Sequence, residues 1–154
     1  MKKLALAALL GLSAIVTAPA MAANATDNVS VSITLTPKCE ITTPTALNFA
    51  YTSFQTGAAA ATGGAFTIKC TTSLPYKLGF DSTATPATTK SVAAAATNMQ
   101  LAYTLGLSAS TGTGTGTTAI NVNVTGSMPG NQSGTCATTA GCTMSESQAI
   151  YVVY

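Results

Sequence analysis

The sequence predicts an all-β protein, an antiparallel β-sandwich of immunoglobulin-like kind. Three observations carry that prediction. Apolar residues recur with a period of two along most of the chain. The stretches between these runs are rich in Gly, Thr, Ser, Ala and Pro. No segment places an apolar stripe at helical spacing. Many short alternating runs with Gly/Pro turns and no long helix are the pattern of two packed antiparallel layers.

The first run is NVSVSITLTPKC, residues 28–39. In it Val29, Val31, Ile33 and Leu35 alternate with Ser30, Ser32, Thr34 and Thr36. The short segments CEIT (39–42) and ALNFA (46–50) follow. In GAFTIKC, Phe66, Ile68 and Cys70 share a face; in YKLGF, Tyr76, Leu78 and Phe80 do. MQLAYTLGL aligns Met99, Leu101, Tyr103, Leu105 and Leu107. AINVNV sets Ile120, Val122 and Val124 against Asn121 and Asn123. The last run, AIYVVY (149–154), is apolar on both faces, as expected of a strand buried centrally or between partners. The body after residue 37 thus holds about seven strand candidates.

The intervening segments TGAAAATGG (56–64) and STATPATTKSVAAAATN (82–98) are rich in alanine but lack a helical stripe. They are read as loops, with room for a short helical turn near 92–96. STGTGTGTT (110–118) is low-complexity and is expected as a flexible loop or hairpin tip. SMPGNQSG (127–134) is a turn cluster.

Lys2 and Lys3, the apolar residues 4–16 and the tripeptide Ala20-Met21-Ala22 have the form of an export signal cut after Ala22. The apolar run is shorter than the ~20 residues a membrane-spanning helix needs. Removing 22 of 154 residues leaves 132. In those, Lys38, Lys69, Lys77 and Lys90 balance Asp27, Glu40, Asp81 and Glu146, so the net charge is zero. Such a surface has no electrostatic footprint for nucleic acid. It also lacks the charge that keeps a monomer apart from its copies.

Four cysteines in an exported chain read as disulfides. Three connectivities exist, and the favoured one joins Cys39 to Cys70 and Cys136 to Cys142. Chain entropy assigns about 3.7 kcal/mol to the longer loop and about 2.4 kcal/mol to the shorter. A metal site is not expected: histidine is absent, and neither pair has zinc-site spacing.

The composition argues against an enzyme. Without histidine the usual general base is missing. Arginine and tryptophan are absent too, and no two of the four acids lie close together in sequence. Asp81 and Glu146 fall in loop-like contexts where solvation explains them. There is no G-x-S-x-G elbow, and TGTGTG lacks the lysine of a phosphate-binding loop. No cofactor is expected. Tyr76, Tyr103 and Tyr151 fit packing positions on strands better than a sugar-binding platform.

The ordered motifs together carry a resemblance. VSVSITLTPKCEI, LNFAYTS, GGAFTIKCTTSLPYKLGFD, MQLAYTLGLSAS, VTGSMPGNQSGT and AIYVVY occur in this order over most of the chain. The set resembles the spore coat protein U domain, the fold of archaic, Csu-type chaperone–usher pilus subunits of Gram-negative bacteria. Ala50 stands where that family commonly has glycine. The family's arginine before the L-x-Y strand and the tryptophan after it are absent, and Cys136 and Cys142 are an addition.

The resemblance implies an incomplete sandwich that lacks its last strand and is completed by a donor strand of the neighbouring subunit. It divides the chain into a signal peptide (1–22), a donor segment (23–36) and a pilin domain (37–154). Val29, Val31, Ile33 and Leu35 would be the donor residues. Ile150, Val152 and Tyr154 would contact the groove or the chaperone. The implied partners are a periplasmic chaperone, an outer-membrane usher and identical or related subunits joined head to tail. The implied function is a structural pilus subunit, exported through the periplasm to the cell surface, supporting adhesion and biofilm formation. The alternative is a secreted spore-coat or surface-matrix protein of the same fold.

Overall fold

Period-two alternation forms a strand where one face can be buried and the backbone finds a partner. In a computed structural model, which describes residues 25–93 and 98–154, eleven strands form and no helix is present among the described residues. In chain order the strands are β1 Cys39–Ile41, β2 Leu47–Asn48, β3 Ala59–Ala60, β4 Thr62–Gly63, β5 Ala65–Cys70 and β6 Pro75–Gly79. They continue with β7 Thr89–Val92, β8 Tyr103–Leu107, β9 Thr111–Thr113, β10 Ile120–Met128 and β11 Tyr151–Val153. The expected export signal, residues 1–22, lies outside the described residues.

The chain divides into two units, Met1–Thr34 and Leu35–Tyr154. In the first, residues 25–34 carry no strand. Val29, Val31 and Ile33 are 87%, 74% and 86% exposed.

The second unit is an antiparallel sandwich of immunoglobulin-like kind. One sheet has the order β1-β5-β10-β8-β7, with β3 also paired to β10. The other has the order β11-β6-β9, and β2 pairs with β4 beside them. Strand β10 is the spine. Residues 120–123 pair with β5, residues 124–127 with β8, and residues 127–128 with β3. The inward residues are those the alternation selects: Phe66, Ile68 and Cys70 from β5, Tyr76 and Leu78 from β6, and Val122 and Val124 from β10. Phe80 and Leu105 complete the cluster. Ile68, Leu78 and Val122 have no exposed surface. Each such side chain contributes roughly 1.5–3 kcal/mol by leaving water.

Between β3 and β5 the chain leaves β10 after Ala61 and returns at Gly64, whose carbonyl accepts from the Val124 amide at 2.8 Å; Gly63 and Gly64 both have positive φ, +83° and +78°. That conformation is costly for other residues. A Cβ on Gly64 would also stand 2.5 Å from the Leu47 side chain. This excursion lets β4 leave the spine and pair with β2.

Three expected loops contain strands. β3 and β4 lie in 56–64, β7 in 82–98 and β9 in 110–118. Their small or polar residues hide them from hydropathy, and backbone ladders to β10, β2, β8 and β6 hold them. In β7 only Val92 is buried. In β9 a Cβ on Gly112 would strike the Tyr76 ring, so the aromatic residue needs glycine opposite it. β10 runs on to Met128, into the expected turn cluster. The helical turn expected near 92–96 falls mainly on 94–97, outside the described residues.

Asp81 organises the turn after β6. Its carboxylate accepts from the Thr83 hydroxyl at 2.6 Å, the Ala87 amide at 2.9 Å and the Thr83 amide at 3.1 Å. The Thr83 hydroxyl is the first cause holding this carboxyl below its ordinary range, followed by the backbone amides of Ala87 and Thr83. A folded pKa below the unfolded one stabilises the fold above the unfolded value of about 3.9, and that stability is lost as pH falls through the folded value. The D81A variant is therefore expected to melt below the native chain at neutral pH, with the gap narrowing as pH falls below the unfolded carboxyl value. Thermal melts of both proteins from pH 7 to pH 2.5 check this. A gap that stays constant with pH would refute it.

Both favoured disulfides form. Cys39 and Cys70 face each other in the β1–β5 register and are bonded, with Cα atoms 4.1 Å apart. Cys136 is bonded to Cys142.

Candidate functional site

Each sheet ends in an open edge. β1 pairs only with β5, and β11 only with β6, among the described residues. Of the two positions expected for the terminal run AIYVVY, central or between partners, the sheet order excludes the central one within this chain: β11 is an edge strand. Val152 lies opposite Leu78, and both Ile150 and Val152 pack against the core. Tyr151 and Tyr154 point away, 39% and 57% exposed.

Lys38, just before β1, is bonded to Glu40 at 2.8 Å. Its pKa is raised by the hydrogen bond to Glu40 and by the Glu40 charge. The ion pair is exposed on both sides and adds little to stability.

Further along, a groove of about 590 Å³ opens between residues 44–51 and residues 142–150. Its floor includes Phe80, Leu105, Val124 and Met128, which are core residues reached from outside. One wall carries Leu47 and Phe49, the other Met144 and Ile150. Tyr103 joins the two. Its ring lies 5.8 Å from the Phe49 ring, tilted by 43°. Its hydroxyl donates to Glu146 Oε2 at 3.1 Å and accepts from Gln148 Nε2 at 3.0 Å. Gln148 Nε2 also donates to Glu146 Oε1 at 2.8 Å. Burial pushes the Tyr103 phenol up; the bond from Gln148 works against this, and Glu146 adds to it.

A second polar anchor closes the end of this region. The Gln132 side chain donates to Ala102 O at 3.0 Å and accepts from Ala102 N at 2.6 Å, replacing a missing strand neighbour. It also donates to Pro129 O, while its backbone amide donates to the Tyr51 hydroxyl.

Of the expected contact residues, Ile150 lies on the groove wall, Val152 packs against the core, and Tyr154 is exposed. Of the expected donor residues, Val29, Val31 and Ile33 are exposed in the first unit. Leu35, the first residue of the second, is 74% exposed. The sequence reading missed Phe49, Met144, Glu146 and Gln148 as groove residues. A signal existed: Met144, Glu146, Gln148, Ile150 and Val152 fall on one parity, continuous with β11. The exposed Glu146 and half-buried Gln148 break the hydropathy pattern of that parity.

The arrangement holds no paired acids and no nucleophile beside a base. Its chemistry is that of apolar surface and unpaired backbone. No helix of the described residues is long and apolar enough to cross a membrane. Neither the curated proteins nor the solved structures contain a match to this chain. A family model described as Spore Coat Protein U domain matches residues 25–150. The chain belongs to the Spore Coat Protein U domain family, surface structural proteins that include Csu-type chaperone–usher pilus subunits.

Proposed function

We propose that the chain is a structural subunit of a chaperone–usher pilus and polymerises by donor-strand exchange. One observation carries this reading. The same chain holds an apolar groove beside two open sheet edges and a run of four alternating apolar side chains, 74–87% exposed and without a strand partner. An unpaired edge over exposed core is an aggregation liability. Strand addition resolves it: the ladder supplies affinity and alternate side chains fill the groove.

Val29, Val31, Ile33 and Leu35 of one subunit enter the groove of the next. Their burial is worth on the order of 6–12 kcal/mol gross. A head-to-tail joint whose rotation does not close on itself builds a filament. Before assembly a periplasmic chaperone covers the groove, and an outer-membrane usher carries the exchange to the cell surface. The filament supports adhesion and biofilm formation.

Deleting residues 23–36 tests this. Expressed with its chaperone, the truncated chain is expected to form the chaperone complex but no fibres in electron micrographs. Fibres of normal number and length would overturn the reading.

A further inference from the structure

Residues 136–148 make no backbone–backbone hydrogen bond among the described residues, although 142–148 form most of one groove wall. Side chains hold this wall in place. At its upstream end the Thr135 amide donates to Met99 O at 2.7 Å, and the Cys136–Cys142 disulfide carries that anchor to the lip of the groove. In the middle, Glu146 and Gln148 both bond the Tyr103 hydroxyl and each other. Downstream, β11 pairs with β6. Between these anchors the backbone keeps its donors and acceptors free for another strand. Tyr103 also touches Phe49 on the opposite wall, so the clasp fixes one wall against the other.

We propose that Glu146 and Gln148 are positioning residues for strand addition. Clasped on Tyr103, they hold residues 142–150 extended, at a set distance from the Phe49 wall, with the backbone unpaired. The inference rests on the donor-strand reading and adds to it the device that shapes the acceptor. Without the clasp the wall swings away from Tyr103, and an added strand loses the ladder on that side. Two polar side chains at the rim of an otherwise apolar groove are then the cost of keeping a strand edge open. An apolar pair would pack onto the floor and narrow the groove.

The test uses the full chain and a fluorescent synthetic peptide of residues 23–36 in excess. The native chain is expected to bind the peptide and release it slowly. Q148A and E146A are expected to release it about tenfold faster, the effect of one or two neutral hydrogen bonds. E146Q keeps one acceptor oxygen and falls between. The urea midpoints of the peptide-free variants are expected to stay close to native, because the clasp lies at the surface and ties a single segment. Variant release rates equal to native would overturn the inference and leave the donor-strand reading standing. Equal losses in E146A and E146Q with a matching fall in urea midpoint would reduce the clasp to a structural tie and overturn it too. A native chain that does not bind the peptide would overturn the donor-strand reading, and this inference with it.

Discussion

Fusing the segment NVSVSITLTP behind Tyr154 through a short linker is expected to give a soluble monomer that melts about 10 °C or more above the native chain. The geometry favours the fusion. β11 ends at Val153 on an edge strand, and a linker of about two to five residues can turn the added segment back as a hairpin. The segment then runs antiparallel to β11 along its open side and past residues 142–150. Its alternate apolar residues come to lie over Phe80, Leu105 and Val124.

The gross gain of roughly 6–12 kcal/mol is comparable with the whole stability of a small domain. If a quarter to a half of it survives the cost of ordering the segment, about 3 kcal/mol remains. One kcal/mol moves the melting temperature of a domain this size by roughly 2–8 °C. The control is the same fusion with Ile33→Asp in the added copy, which buries a charge and loses the gain. Differential scanning calorimetry of the three proteins decides the matter. A fusion that melts with the native chain, or aggregates like it, would count against the groove as an acceptor.

The parts of the fold that could be read beforehand are those where burial and period agree. Phe66, Ile68, Cys70, Tyr76, Leu78, Val122 and Val124 alternate in sequence because they alternate between core and solvent in β5, β6 and β10. Strands β3, β4, β7 and β9 were hidden because, apart from Val92 in β7, their residues are Ala, Gly, Thr, Ser and Lys, which set up no apolar alternation. They are strands because a neighbour offers a ladder, and a single sequence does not display its neighbours. The groove divided in the same way. Ile150 and Val152 are apolar and stood out. Glu146 and Gln148 read as loop residues, since a polar side chain at the groove makes sense only once the Tyr103 hydroxyl is beside it. Gln132 was visible as part of a turn motif, but its service as a surrogate strand for Ala102 was not. The terminal run was legible only in part: its two apolar faces suggested a central strand or one between partners, and within this chain β11 is an edge strand with Tyr151 exposed.

The two disulfides are expected to differ sharply when removed. C39A/C70A should lose about 3–5 kcal/mol, and C136A/C142A about 2 kcal/mol or less. Loop length is one reason, with a sequence separation of 31 against 6. Burial is the other. Cys70 is 2% exposed and part of the core, so its sulfur is lost from packing as well as from the cross-link, whereas Cys136 and Cys142 are exposed. The larger loss also falls on a sensitive element. β1 has three residues and one neighbour, so without its bond to Cys70 it frays first. It borders an open edge, and residues 44–51, which follow it, form a groove wall. C39A/C70A is therefore expected to fail in assembly even where it folds, while C136A/C142A should fold normally and hold an added strand less firmly. Urea denaturation with fibre yield measured alongside separates the two. Equal losses from both pairs would mean that the β1–β5 cross-link does not govern the edge it spans.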